Sequence, residues 1–207
     1  MKYAVFTGTL ALLLSPMAAL AGGVAPAPAP APAPIVPAPA PVGYDWTGLY
    51  GGIQLEYGDV DADTTAGVDA ADGDGVLYGL FGGYRYDFGN IVLGAEVDLN
   101  LADIDLDDPA GTTIGSLDAV HRLGAEVGYD AGPALVYGTA GVAQATATVG
   151  GAELQDTGYF FGAGVDYLVT DQIILGAEVL QHEFEDLDSS GLDVSATTFG
   201  ISAAFRF

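Results

Sequence analysis

The stretch "NIVLGAEVDLN" (90–100) alternates without a break. Ile91, Leu93, Ala95, Val97 and Leu99 fall on one face, and Val92, Gly94, Glu96, Asp98 and Asn100 on the other. Successive side chains of an extended strand point to opposite faces, so this period-two pattern reads as a strand with one apolar side. It recurs in "DTGYFFGAGVDYLVT" (156–170), where Tyr159, Phe161, Ala163, Val165 and Tyr167 alternate with Phe160, Gly162, Gly164 and Asp166, and in "VSATTFGISAAFRF" (194–207). Eight such segments are predicted, near residues 46–57, 75–88, 90–102, 116–130, 133–147, 156–169, 172–184 and 194–207. Each reaches or exceeds the roughly 9–11 residues that a tilted strand needs to cross a bilayer. The 31 glycines, poor helix formers, disfavour a helical alternative.

The connections alternate in length. "DFGN" (87–90), "DAGP" (130–133) and "TDQ" (170–172) read as tight turns, and longer acidic loops are predicted near 58–74, 103–115, 148–155 and 185–193. Short turns on one side, long loops on the other and an even strand number predict an all-β fold over 44–207: an eight-stranded antiparallel up-and-down transmembrane β-barrel. A soluble sandwich or lipocalin-type barrel shares the alternation but turns its apolar face inward. Three features favour the membrane. Aromatic residues gather at the turn ends (Tyr84, Tyr86, Phe88, Tyr129, Tyr167, Phe205, Phe207) and near the loop ends (Tyr57, Tyr78, Tyr159, Phe161), as interfacial girdles do. The apolar face is almost free of charge. The chain closes on "FRF", in which Phe205 and Phe207 form the kind of C-terminal strand signal read by a barrel-assembly machinery.

The first 21 residues read as a signal peptide, with Lys2, an apolar stretch from Tyr3 to Leu14 and the A-x-A site Ala19-Leu20-Ala21. Residues 22–43 are a Pro/Ala-rich spacer that favours polyproline II and cannot build a core. With 28 acidic and four basic residues the chain carries a formal charge of −24, which repels nucleic acid. The absence of cysteine excludes disulfides, thiolate metal sites and thiol nucleophiles. No G-K-[ST] phosphate loop is present.

The opening "YDWTGLYGGIQLEYGD" (44–59), the hairpin "YRYDFGNIVLGAEVD" (84–98) and the closing "ATTFGISAAFRF" (196–207) resemble the small eight-stranded outer-membrane β-barrel family, porin-like surface antigens related in architecture to the OmpA membrane domain. The likeness spans nearly everything after residue 43, and its motifs are structural. It implies an abundant envelope or surface protein of the Gram-negative outer membrane, and it implies no substrate. Unlike two-domain OmpA-type chains, no cell-wall-binding domain is expected after Phe207.

If the apolar faces meet lipid, the opposite parity sends nine charged side chains into the barrel: Arg85, Glu96, Asp98, Asp118, Arg122, Glu126, Asp166, Glu178 and Arg206. Arg122 and Glu126, four apart on one strand face, are expected to pair, with Glu96 completing the network. An eight-stranded barrel is just wide enough for side chains to fill, and arginine can bind carboxylates bidentately. The charges therefore read as a plug, with an ion or proton path as the alternative; the surplus of acids would make such a path cation-preferring.

Other candidates are weaker. "DAADGDG" (69–75) resembles a calcium loop, but Ala70 and Phe81 stand where ligands belong, which leaves diffuse Ca²⁺ or Mg²⁺ capture by Asp69, Asp72 and Asp74. His182, near Glu178, Glu183, Ser189 and Ser190, could suggest a lipid-modifying hydrolase, but no nucleophile motif accompanies it. His121 is expected to face lipid near the middle of the bilayer. The expected protein is a monomeric, non-enzymatic envelope barrel without cofactor. Its partners are outer-membrane lipid, lipopolysaccharide, the barrel-assembly machinery and divalent cations at the acidic loops.

Overall fold

A computed structural model of the chain describes residues 44–64, 69–185 and 192–207. The expected signal peptide and spacer lie outside these residues, as do Ser189 and Ser190. Eight strands run in chain order: β1 (Gly48–Thr64), β2 (Asp69–Asp87), β3 (Ile91–Asp107), β4 (Thr113–Asp130), β5 (Ala134–Val149), β6 (Ala152–Leu168), β7 (Ile173–Phe184) and β8 (Leu192–Arg206). Each pairs antiparallel with its neighbour, and β8 returns to β1 to close a barrel.

At one end, here the lower, the three tight turns form as expected. Asp87 and Asp130 accept hydrogen bonds from the backbone N–H two residues on, Gly89 and Gly132, at 2.7 Å each. Both glycines have positive φ (109° and 83°), which a side chain would strain.

At the upper end the expectation needs correction. The segments read as acidic loops at 58–74, 103–115 and 148–155 are mostly strand where they are described, and the connections at 108–112 and 150–151 are short; most of the 185–193 loop lies outside the described residues. The physical reason is visible in "GDVDADT" and "DIDLD", which alternate acid with apolar as faithfully as any other strand. Asp59, Asp61, Asp103 and Asp105 point outward and are exposed, while Val60 and Ile104 point inward and are buried. The strands thus continue past the apolar belt with the polarity of their faces exchanged. Within the belt the barrel is inside-out, with Leu80 61 % exposed and Arg85 2 %. Above it, acids face outward and aliphatics inward.

Parity also fails at one charged residue. β4 carries a bulge at Asp118, since Leu117 pairs with Ala147 and the next pair is Ala119 with Thr146. The extra residue leaves Leu117 inside and turns Asp118 outward, where it accepts hydrogen bonds from Ser116 (2.9 Å) and Thr148 (2.7 Å).

The interior is filled in three layers. Trp46, Tyr50, Val92, Leu135, Leu168 and Ile174 close the lower end. A charged layer follows, and aliphatic residues around Leu77, Ile104 and Val120 line the top. The register of β5 places Leu135, Tyr137, Ala143, Ala145 and Ala147 inside.

Candidate functional site: the charged layer of the barrel

Two buried arginines organise the layer. Arg85, inward on β2, donates from Nε and Nη2 to the two oxygens of Glu126 (2.7 and 3.1 Å) and from Nη1 to Asp166 (2.6 Å). Its guanidinium lies 4.3 Å from the Tyr50 ring centroid, 5.3 Å from Tyr137 and 6.0 Å from Trp46, and the ring faces favour the cation. Arg122 on β4 grips Glu56 bidentately (2.5 and 3.1 Å) and reaches Asp98 at 3.1 Å. Gln54 donates to both Asp98 (2.9 Å) and Asn100 (2.8 Å). Planar, doubly bonded pairs of this kind are the geometry in which arginine is strongest and least mobile.

Two carboxylates have tyrosines rather than arginines as partners. Tyr50 donates to Glu96 at 2.8 Å and approaches Glu126 at 3.4 Å, while Tyr137 donates to Glu178 at 3.0 Å. Small residues make room for these groups. A methyl at Gly94 would sit 2.8 Å from Glu126 Oε2 and 3.0 Å from Arg85 Cγ, and one at Gly200 2.8 Å from Glu56 Cγ.

The pairing differs from the sequence expectation. Arg122 does not take Glu126, four residues away on its own strand, because Glu126 stands one layer lower beside Arg85. Glu96 is held by Tyr50 and joins neither arginine. Asp118 is outside the layer altogether. Arg206 sits at the lower rim, where Nη1 donates to the backbone carbonyl of Asp45. Sequence reasoning missed the charged Glu56, although "GIQLEYG" alternates and places it between the outward Leu55 and Tyr57, and it missed the uncharged partners Tyr50, Gln54, Asn100 and Tyr137.

The remaining candidates are scattered. Asp72 lies opposite Asp61, Asp74 opposite Asp59 and Asp69 opposite Asp63 on the β1–β2 ladder. Tyr57 donates to Asp74. His182 faces inward and stacks on Phe160, with centroids 5.9 Å apart. Glu183 faces outward beside Gln181, and Glu178 is committed to Tyr137, so the three do not form an acid–base cluster. His121 faces outward, as expected, but its neighbours Gln144 and Thr157 put it at the upper margin of the apolar belt, not its middle. Phe205 and Phe207 lie at the closing end of β8, with ring centroids 5.2 Å apart.

Comparison with known proteins places the barrel. Residues 10–207 match the family described as outer membrane protein beta-barrel domain. A 22 kDa outer membrane protein of Rhizobium leguminosarum bv. viciae is 32 % identical over 138 residues, 61 % of this chain, and the chain spans 64 % of that relative's length. The attachment invasion locus protein Ail of Yersinia pestis, solved in complex with the heparin analogue sucrose octasulfate, is similar in fold, with a TM-score of 0.50 at 17 % identity over 77 % of this chain and 99 % of Ail. Neisserial surface protein A gives 0.49 at 18 % identity, over 78 % and 98 %. The chain therefore belongs to the outer membrane protein β-barrel domain family, and its place is the bacterial outer membrane.

Proposed function

We propose that the protein is a monomeric structural envelope barrel whose charged layer is a plug and whose acidic upper rim faces the outside of the cell. The bidentate Arg122–Glu56 and Arg85–Glu126 pairs carry this reading. They cross the lumen at two levels, and ions could pass only if both pairs broke. Breaking a buried pair strands its partners, at a cost of about 3–5 kcal/mol each. The aromatic and aliphatic cluster around Trp46 adds a third barrier at the lower end. In this reading the short turns and the spacer face the periplasm, Phe205 and Phe207 form the assembly signal, and the exposed aspartates meet divalent cations and lipopolysaccharide.

A narrow cation-preferring pore is the second reading. It is favoured by the excess of acids over arginines in the layer, since Glu96 and Glu178 have no arginine among the ion pairs of the described residues. Single-channel conductance of the refolded protein separates the two. Silence from the wild type, Glu96→Gln and Glu126→Gln is the expected outcome. Steady cation-selective openings that change with either substitution would replace the plug by a porin.

A further inference from the structure

Above the charged layer the barrel contains a cavity of about 100 Å³ with apolar walls, formed by Val60, Leu77, Ile104, Leu117, Val120 and Ala196. At its base stands His182, 2 % exposed. Ala196, its neighbour across the β7–β8 pair, offers the ring only a weak backbone contact, and neither imidazole nitrogen has a hydrogen bond of normal geometry. Two unfavourable features therefore meet at one place. A void among aliphatic side chains forfeits packing and stays dry, because a water there finds too few polar partners. A buried imidazole without partners forfeits its hydrogen bonds. An aliphatic interior suits strands whose outer face meets water, but it calls for neither a void nor an unpartnered imidazole. One bound molecule would relieve both.

We infer that this chamber binds a small uncharged amphiphile, an alkyl or aryl body lying against the aliphatic walls with a single hydroxyl at His182. A neutral imidazole presents one donor and one acceptor, and a hydroxyl can satisfy either. The charge of the surroundings selects against ionised ligands. Asp59, Asp61, Asp72, Asp74, Asp103 and Asp105 ring the upper barrel and repel anions. Arg122, the nearest cation below, is already held by Glu56 and Asp98 and offers no free counter-charge to a carboxylate. A cationic head would meet no anionic group in the walls, whose polar side chains are His182 and Thr198. The chamber lies above both arginine pairs, so occupancy does not require the lumen to conduct.

The test is methyl NMR of the full chain in lipid nanodiscs, titrated with 1-butanol, butane or butyrate, probes short enough for the chamber. The expected result is saturable 1-butanol shifts at the inward methyls of Ile104 and Leu117, with the outward methyls of Leu80 and Leu99 changing only in proportion to bilayer partitioning. Ala196→Phe fills the chamber and should abolish the saturable component; Ala147→Phe serves the same purpose if the first variant does not fold. His182→Phe should weaken 1-butanol about tenfold, the scale of one buried hydrogen bond, and leave butane unchanged. Shifts that never saturate, saturation that survives filling of the chamber, or butyrate binding as tightly as 1-butanol would each overturn the assignment.

Discussion

The charged layer and the apolar chamber above it are built from the same eight strands, and they solve opposite problems. In the belt the outer face meets hydrocarbon, so Leu80, Leu99 and Ile201 point out and the polar groups are confined to the lumen. Confined charges must satisfy one another, and Arg85 and Arg122 do so with bidentate geometry. Above the belt the outer face meets water. Aspartates can then stand outside at little cost, and the interior reverts to the aliphatic filling of a soluble barrel. A strand has only two faces, and whichever solvent touches one decides what the other must hold. The difference teaches that solvent polarity, changing along one strand, can exchange its faces without a break in the alternation.

The contrast can be broken at its strongest point by Arg85→Ala. Removing this guanidinium leaves Glu126 and Asp166 buried without their partner, and the expected loss is about 3–5 kcal/mol in denaturant unfolding of the refolded protein. A variant that unfolds like the wild type would mean that the layer is hydrated and contributes little. A pair of outward lysines sharpens the boundary between the zones. Leu80→Lys, in the belt, should cost about 2–4 kcal/mol in lipid. Asp61→Lys, one zone higher, should be neutral or stabilising by up to about 1 kcal/mol, because it removes a like-charge pair with Asp72. That gain should fade in high salt. Equal costs at the two positions would place both in one solvent and remove the distinction.

The smallest effect belongs to the lower rim. Asp45 accepts hydrogen bonds from Thr47, including its backbone N–H at 2.8 Å, and these bonds, with a lesser contribution from Arg206, hold its carboxyl below the usual aspartate range. A folded-state pKa below the unfolded value means that the carboxylate contributes stability above about pH 4 and loses it as pH falls through the folded value. Asp45→Asn should therefore unfold slightly more easily than the wild type at neutral pH, with the gap closing in acid. A gap that widens in acid would reverse the sign.

Most of the barrel is legible in the residues because alternation and turn chemistry are local. "NIVLGAEVDLN" announces its faces, and Asp87 and Asp130 announce their turns. The acidic extensions were equally local, yet "GDVDADT" and "DIDLD" read as loops when charge is weighed above period. Glu56 could be found by the same parity that finds Glu96. Partner choice in the layer was not legible. Arg122 and Glu126 share a strand face, but height along the barrel axis and the strands across the lumen decide which carboxylate each arginine meets. Asp118 shows the limit of parity itself, since a single bulge reverses the face of its residue and leaves no mark in composition.

By itself the amino-acid sequence determined an eight-stranded barrel, its closing order, its apolar belt and the residues available to fill it, since each follows from interactions between neighbours along a strand or across a turn. Only the tertiary structure decided which charges pair, which aspartate leaves the lumen and where an imidazole is left facing an apolar void. Those outcomes depend on contacts across the barrel interior, between residues 41 to 81 positions apart in the Arg85 pairs and 24 to 66 apart in the Arg122 pairs, and nothing local encodes them.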